Sequence, residues 1–421
     1  MPESQIESVI LKNKKEWTMD GVNLHELAER YGTPLYVTSQ RRIQERFENI
    51  REAFLSFNWN FEIKYAIKAN SNPRIVEVLS RMGAGADVSN LTEYEIALRG
   101  GVAKEKIVMT PNNLDKNSLL KASDDGLAIN FDDINQMNLL GRKLPHTVSF
   151  RINPGVGKGE FQGTTTAGPD AKFGIPSERS LDAYSVARDQ GAKKFGIHMM
   201  TGSNVLDADY FGFVAGKLFA LVRKISNELG IEFEYVDLGG GFGVPYRPGE
   251  KELDLKKVAQ GVWNSMNKNF EGYHGKLPKI LLEPGRYLVA DSTILIGRVT
   301  NVKEYGKRFI GTDLGMTTLL RPALYGAYHP IVVLADHEGA EREGKIVGQV
   351  CENTDVIVNW RSIPDVKIDD LIAVLNAGAY GYAMSMNFNG NLRSSEVLIS
   401  NGKAYLVRKR ETVEDLLQNV V

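Results

Sequence analysis

The sequence predicts an α/β protein, a β/α (TIM-like) barrel with a second, mainly β domain, and three observations predict it. The chain has 421 residues, more than one hydrophobic core usually serves, so two domains are expected. From about residue 34 to 285, short apolar β-rich runs alternate with longer amphipathic stretches. Beyond about residue 286 the alternation gives way to closely spaced β-rich runs divided by turn residues.

In chain order, PLYVTS precedes RRIQERFENIREAFLSF, EIKYAIKA precedes PRIVEVLSRMG, and IVMTPN precedes DKNSLLKASDDG, each a strand and then a helix. LAINFD, TVSFRINP, FGIHMM, YVDLGGG and KILLEPG continue the series. The total is roughly eight strands, which favours a closed barrel over an open sheet. The barrel is expected over 34–285. STILIGRVTNVKEYG, RFIGTDLG, GKIVGQVCENTD, DLIAVLNAGAYG and EVLISNGKAYLVRKR then build a β-sandwich or β-barrel over 286–421. Residues 1–33 fit neither repeat and are expected to join that second domain, because chain ends often pack together.

Composition narrows the function. Hydrophobic residues make up 43% and charged residues 24%, which suits a globular fold and leaves little room for disorder. Lys plus Arg number 51 against 52 Asp plus Glu, so no overall field would draw nucleic acid or an anionic membrane. One cysteine, Cys351, excludes an internal disulfide and suits a reducing cytoplasm. The N-terminus has no apolar run fit for a signal peptide, and nowhere do about 18 apolar residues run together as a membrane helix requires. One cysteine and six scattered histidines have no zinc-ligand spacing, so no metal is expected. The protein is therefore read as soluble and cytoplasmic.

Three segments carry chemistry. In EIKYAIKAN, Lys68 ends an apolar strand and is followed by Asn70 and Asn72, which places its amine at the mouth where barrel active sites form. Alone it reads as a surface lysine or as a Schiff-base lysine, and the second reading needs a phosphate anchor nearby. In DLGGGFG, Gly239, Gly240, Gly241 and Gly243 follow a strand and leave backbone N–H groups open to a phosphate, although a plain tight turn has the same composition. The spacing is that of neither a dinucleotide fingerprint nor a nucleoside-triphosphate loop. At another strand end, LLEPGRYLVADS offers Gly285 for close approach, Arg286 as an anion clamp and Glu283. A carboxylate there either caps structure or holds a pyridine nitrogen protonated, which strengthens the ring as an electron sink.

YAIKAN, GADVSNLTE, RINPGV, DAKFGI, GIHMMTGS, DLGGGFG, EPGRYLVADS, RPALYGAYHP, CENTD, GAYGYAMSMNFN and EVLISNGKAYLVRKRETVEDLL occur in that order. Together they resemble the alanine-racemase-like, fold-type III pyridoxal-phosphate enzymes, and most closely the diaminopimelate decarboxylases, over about residues 31–417. The resemblance implies pyridoxal 5'-phosphate as cofactor, bound through Lys68, with Glu283 at the pyridine nitrogen. Ser203, Gly240, Gly241, Gly285 and Tyr380 would surround the phosphate, with Asp87 and His198 near the cofactor. Arg286, Arg321, Tyr325 and Tyr380 would hold substrate carboxylates, and Glu352 the distal amino group. Cys351 would be the proton donor, reaching the site from the partner subunit of a homodimer; by itself a lone cysteine also reads as a small buried hydrophobe.

The expected reaction is decarboxylation of meso-diaminopimelate to L-lysine. The chain departs from the family at Met200, where a second histidine usually stacks on the cofactor ring, and at Asn353 and Thr354, usually serine and glycine. NGNLRSSEV also replaces a stretch richer in proline and arginine. These changes lie near the expected substrate pocket and leave ornithine, lysine, arginine or carboxynorspermidine as alternative substrates. A racemase would instead carry arginine at the pyridine nitrogen and a tyrosine base. A non-catalytic cofactor carrier usually lacks the second β domain.

Overall fold

Eight short runs of mostly buried residues form the frame: β1 (Phe61–Ala66), β2 (Gly85–Val88), β3 (Ile107–Met109), β4 (Ala128–Phe131), β5 (Val148–Asn153), β6 (Phe195–His198), β7 (Phe233–Asp237) and β8 (Lys279–Leu282). Each pairs in parallel with the next, and β8 pairs with β1, so the sheet closes. Parallel strands covered on both sides carry continuous apolar runs rather than alternation, which is why these segments read as solid hydrophobic stretches. A computed structural model of the protein describes residues 9–13, 16–57, 60–141, 143–335 and 340–421.

Helices return the chain between strands, and caps fix where several begin. Asn72 caps Pro73–Arg81, Asn90 caps Leu91–Arg99 and Asp115 caps Lys116–Asp124, each side chain accepting backbone N–H groups of the first turn. The longest, Ala208–Leu229, starts at Asp207 and stops at Gly230 in the left-handed conformation. Inside the barrel, Tyr235 fills the space beside β6; a Cβ at Gly196 would stand 2.3 Å from its ring, so glycine is required there.

The chain divides into two units. The barrel unit comprises Arg46–Val244 and Lys251–Tyr287; the other takes the chain up to Glu45, Pro245–Glu250 and Leu288–Val421. In the second unit nine strands form one sheet system. Its spine is Thr293–Tyr305, which pairs antiparallel with Lys307–Thr312, Leu371–Val374 and Leu35–Ser39. Arg342–Val347 and Val356–Ile363 extend one side, Ser395–Ser400 and Lys403–Arg408 the other, and Ile331–Val333 pairs with Leu371–Val374. Both faces are buried. Leu35, Val37, Ile294 and Ile296 pack with Trp17, Met19 and Leu24, whereas Tyr36 and Leu295 pack with Ile310, Ile346 and Val358.

The barrel and the mainly β unit are both present, but the strand count of eight conceals two corrections. PLYVTS is not a barrel strand. As Leu35–Ser39 it lies between Thr293–Tyr305 and Ser395–Ser400 in the other sheet, and because both faces of that sheet are covered, its residues are all buried like those of a parallel core strand. Its place in the barrel is taken by GADV, β2, whose Gly, Ala and Asp have low strand propensity. The boundary therefore falls at Arg46 rather than 34, and Pro245–Glu250 crosses to the β unit. Residues 9–13 and 16–33 supply a small three-stranded sheet and the helix Leu24–Tyr31 to the β unit, while residues 1–8 of the expected N-terminal share lie outside the described residues.

Candidate active site

Because all eight barrel strands run the same way, their C-terminal ends share one mouth, and polar residues collect there. Lys68 sits in the single turn Ile67–Ala69 just after β1, Asp87 near the end of β2 and Thr110 directly after β3. His198 and Asp237 end β6 and β7, aligned across the strand register, and Glu283 follows β8. A buried polar residue at the last position of an apolar strand is the signal that reveals such sites.

The Lys68 ammonium pairs with the Asp87 carboxylate. Asp87 is fully buried, whereas the Lys68 side chain keeps 42% of its exposure, so the amine lies at the opening and its partner beneath. Burial, reinforced by the charge of Glu283, raises the Asp87 carboxyl to about 6 against the pull of Lys68. Glu283 is held the other way. Burial would raise it, but the imidazole of His198, through charge and hydrogen bond, and the Lys68 ammonium outweigh that and hold it at about 2. His198 Nε2 lies 3.1 Å from Glu283 Oε2. On the other oxygen Thr110 Oγ1 lies at 3.5 Å, and Thr110 in turn accepts from Asn130, which accepts from Tyr235. The site thus presents a half-exposed amine over a buried, ionised carboxylate.

The glycine run packs against the backbone of Glu283, whose N–H donates to the Gly239 carbonyl at 2.8 Å. A Cβ on Gly240 would fall 2.3 Å from the Glu283 carbonyl oxygen, one on Gly239 2.3 Å from the Met199 carbonyl, and one on Gly241 3.0 Å from the Gly202 carbonyl. Gly239 and Gly241 also have positive φ, so the run needs glycine for both space and backbone conformation. Gly285 packs against Ala66 and Ala69 beside the lysine turn. Arg286 Nη2 donates to Ser203 Oγ at 3.1 Å, bringing a cation and a hydroxyl together next to the glycines. Met200 lies on the same loop, its sulfur accepting the Gly240 N–H at 3.2 Å. Backbone that no Cβ shields, a hydroxyl and a guanidinium fit a phosphate, and Lys68 with Glu283 fits an aldehyde-bearing pyridine. The residues present therefore suit pyridoxal phosphate.

The barrel thus brings together Lys68, Asp87, His198, Ser203, Gly240, Gly241, Glu283, Gly285 and Arg286. Asp237, Thr110 and Asn130 join them without having been picked out by motif reading, although Asp237 stands in YVDLGGG as a charged residue closing an apolar run. Among the described residues His198, Asp237 and Glu283 are also the one group with metal-ligand proximity.

Cys351, Glu352, Arg321, Tyr325 and Tyr380 belong to the β unit. Cys351 is exposed, which removes the reading of it as a buried hydrophobe. Its loop is fixed from within by Asp355, 2% exposed, whose oxygens accept the Met316 and Val350 N–H groups at 2.6 and 2.7 Å. Glu352 is exposed and accepts from Thr354. Arg321, at the start of Arg321–Tyr325, is buried over the Tyr246 ring and donates to His329 Nε2 at 2.8 Å; His329 Nδ1 donates to the Leu375 carbonyl. Tyr325 is half-buried. Tyr380 has φ of 56°, a strained backbone for an aromatic residue, of the kind that clusters at functional sites.

Comparisons with known proteins agree with this chemistry. The pyridoxal-binding domain of pyridoxal-dependent decarboxylases matches residues 40–290. Diaminopimelate decarboxylase of Thermoplasma acidophilum is 40% identical, covering 98% of this chain and 99% of that protein. The enzyme of the same name from Methanothermobacter thermautotrophicus is 38% identical over 97% of each. The crystal structure of diaminopimelate decarboxylase from M. jannaschii in complex with L-lysine superposes with a TM-score of 0.91 at 32% identity over 98% of both chains. With the lysine, carboxylate and glycine cradle in place and likeness along the whole chain, the protein belongs to the pyridoxal-dependent decarboxylases, in the diaminopimelate decarboxylase family, and its cofactor is pyridoxal phosphate.

Proposed function

We propose that the protein removes carbon dioxide from meso-diaminopimelate to give L-lysine, working as a cytoplasmic homodimer whose site is completed by Cys351 of the second copy. The single observation that carries the reaction class is an accessible Lys68, paired with Asp87, at the same barrel mouth as the buried Glu283 carboxyl and the glycine run. Pyridoxal phosphate, when bound, supplies the electron sink that lets the α-carboxylate leave. Lys68 offers the amine that holds it, and Asp87 orients that amine. Glu283, being a carboxylate rather than an arginine, would accept a hydrogen bond from a protonated pyridine nitrogen, which suits decarboxylation rather than racemisation. Arg286, Ser203, Gly240, Gly241, Gly285 and Tyr380 serve the phosphate. Arg286, Arg321, Tyr325 and Tyr380 serve substrate carboxylates, Glu352 the distal amine, and the Cys351 thiol delivers a proton to the reacting carbon.

Dimerisation is supported by an exposed Cys351 on a loop anchored by Asp355, a thiol presented outward. No helix among the described residues is long and apolar enough to cross a membrane, and the single cysteine suits a reducing compartment. The test is carbon dioxide release from meso-diaminopimelate beside L-lysine, L-ornithine, L-arginine and carboxynorspermidine. Turnover confined to meso-diaminopimelate is expected. Turnover of another amine with silence on meso-diaminopimelate would show that Met200, Asn353 and Thr354 accompany a different specificity.

A further inference from the structure

Asp237 has no part in the reading above, yet it lies at the centre of the buried network. It closes β7 and is fully buried, opposite His198 in the strand register. Its Oδ1 accepts the Gly239 N–H at 2.9 Å, which fixes the carboxyl plane. Its Oδ2 is buried and no donor among the described residues reaches it. What it faces is the carboxylate of Glu283, and with His198 the three side chains offer atoms all within 4.8 Å of one another. Two buried carboxylates in contact cannot both stay ionised, whereas one proton between them turns repulsion into a hydrogen bond.

The neighbours decide which oxygen keeps that proton. Glu283 has His198 Nε2 and Thr110 Oγ1 on its two oxygens and the Lys68 charge nearby, all favouring its ionised form. Asp237 has one backbone N–H. Burial and then the charge of Glu283 raise its pKa well above the ordinary carboxylate range. Further out, Asp87 adds negative charge to Asp237, while Arg151 on β5 attracts both Glu283 and Asp87.

We propose that Asp237 is a positioning residue for the decarboxylation: it carries a proton, donates it to Glu283, and with His198 keeps Glu283 ionised for the pyridine nitrogen. This rests on the reading of Glu283 as the partner of that nitrogen. A glycine-loop aspartate thereby acts through a neighbour rather than on the substrate.

The first measurement needs no cofactor. Infrared difference spectra of the full chain, taken above the Asp87 transition, should contain the carbonyl stretch of a protonated carboxyl, and the isosteric Asp237→Asn should lose it. A wild-type spectrum without the band, or a band that survives in Asp237→Asn, overturns the proposal. The second uses protein loaded with pyridoxal phosphate labelled with nitrogen-15 in the ring. Wild type and Asp237→Asn, which still offers a donor, should share the shift of a protonated ring nitrogen, and Asp237→Leu should move it toward the neutral value. Glu283→Gln separates the two layers of the argument. If it leaves the shift unchanged, the reading of Glu283 fails; if it moves the shift while Asp237→Leu does not, only the role of Asp237 fails.

Discussion

The barrel mouth and the Cys351 loop show two ways of holding a reactive side chain. At the mouth, Lys68 and Glu283 are set by other side chains: Asp87, His198, Thr110 and Asp237 fix charge and direction in a buried network. In the β unit, Cys351 is set by backbone, because Asp355 grips the N–H groups of Met316 and Val350 and leaves the thiol exposed. The first arrangement tunes proton affinity, since each partner carries or directs charge. The second fixes position alone. Substitutions at the mouth should therefore change chemistry before stability, and those behind the loop stability before chemistry.

Lys68→Ala strikes the mouth hardest: it should remove the visible absorbance of bound pyridoxal phosphate and lower decarboxylation by roughly 10³-fold or more, and an unchanged spectrum would take Lys68 out of its role. Glu283→Gln keeps the volume and loses the charge, so a fall in kcat of about 10²–10³-fold with retained cofactor is expected, by analogy with the loss of one preorganised electrostatic partner. Cys351→Ala should cost about 10²-fold while leaving the absorbance intact. Mixed with Lys68→Ala subunits it should regain activity, because one hybrid site holds both native residues. Failure to regain it despite demonstrated subunit exchange would argue against a shared site.

Smaller effects sharpen the contrast. Asp355→Ala leaves two part-buried N–H groups without this acceptor and should lower stability by about 1 kcal/mol in denaturant unfolding. As Cys351 is the only thiol, its alkylation rate reports whether the loop has moved. The Asp87 carboxyl ionises at about 6 in the fold against an ordinary 3.8. Between those values the folded state holds more protons than the unfolded, so this group makes stability fall as pH rises, by at most about 1.4 kcal/mol per pH unit. Glu283, held at about 2, contributes with the opposite sign, and its share is lost only below the ordinary carboxylate range. Denaturation of cofactor-free wild type and Asp87→Asn across that interval should show the slope in the first and its loss in the second.

The legibility of the site followed its chemistry. Lys68, the glycine run and EPGR could be read because each ends an apolar run with a residue type that needs a reason to be there. Asp237 ends an apolar run in the same way, but the glycines that follow it point to phosphate binding and mask it. Thr110 and Asn130 have no such mark: their hydroxyl and amide matter only through what they touch. The strand error had a different origin. PLYVTS and GADV were exchanged because burial on both faces erases the alternation that separates one sheet from another, and Gly-Ala-Asp has little strand propensity to announce itself.

Leu35–Ser39 carries one further consequence, for synthesis of the chain. It lies inside a sheet whose other central strand, Thr293–Tyr305, and flanking strand, Ser395–Ser400, are made long after it. The barrel strands, Phe61 to Leu282, are all complete before either emerges. On the ribosome the early strand must wait, an apolar edge with nothing to pair with, while the barrel can close. A chain that stalls before Ser395 would release a protein with its glycine cradle built and that edge bare, an aggregation hazard made by timing rather than by mutation.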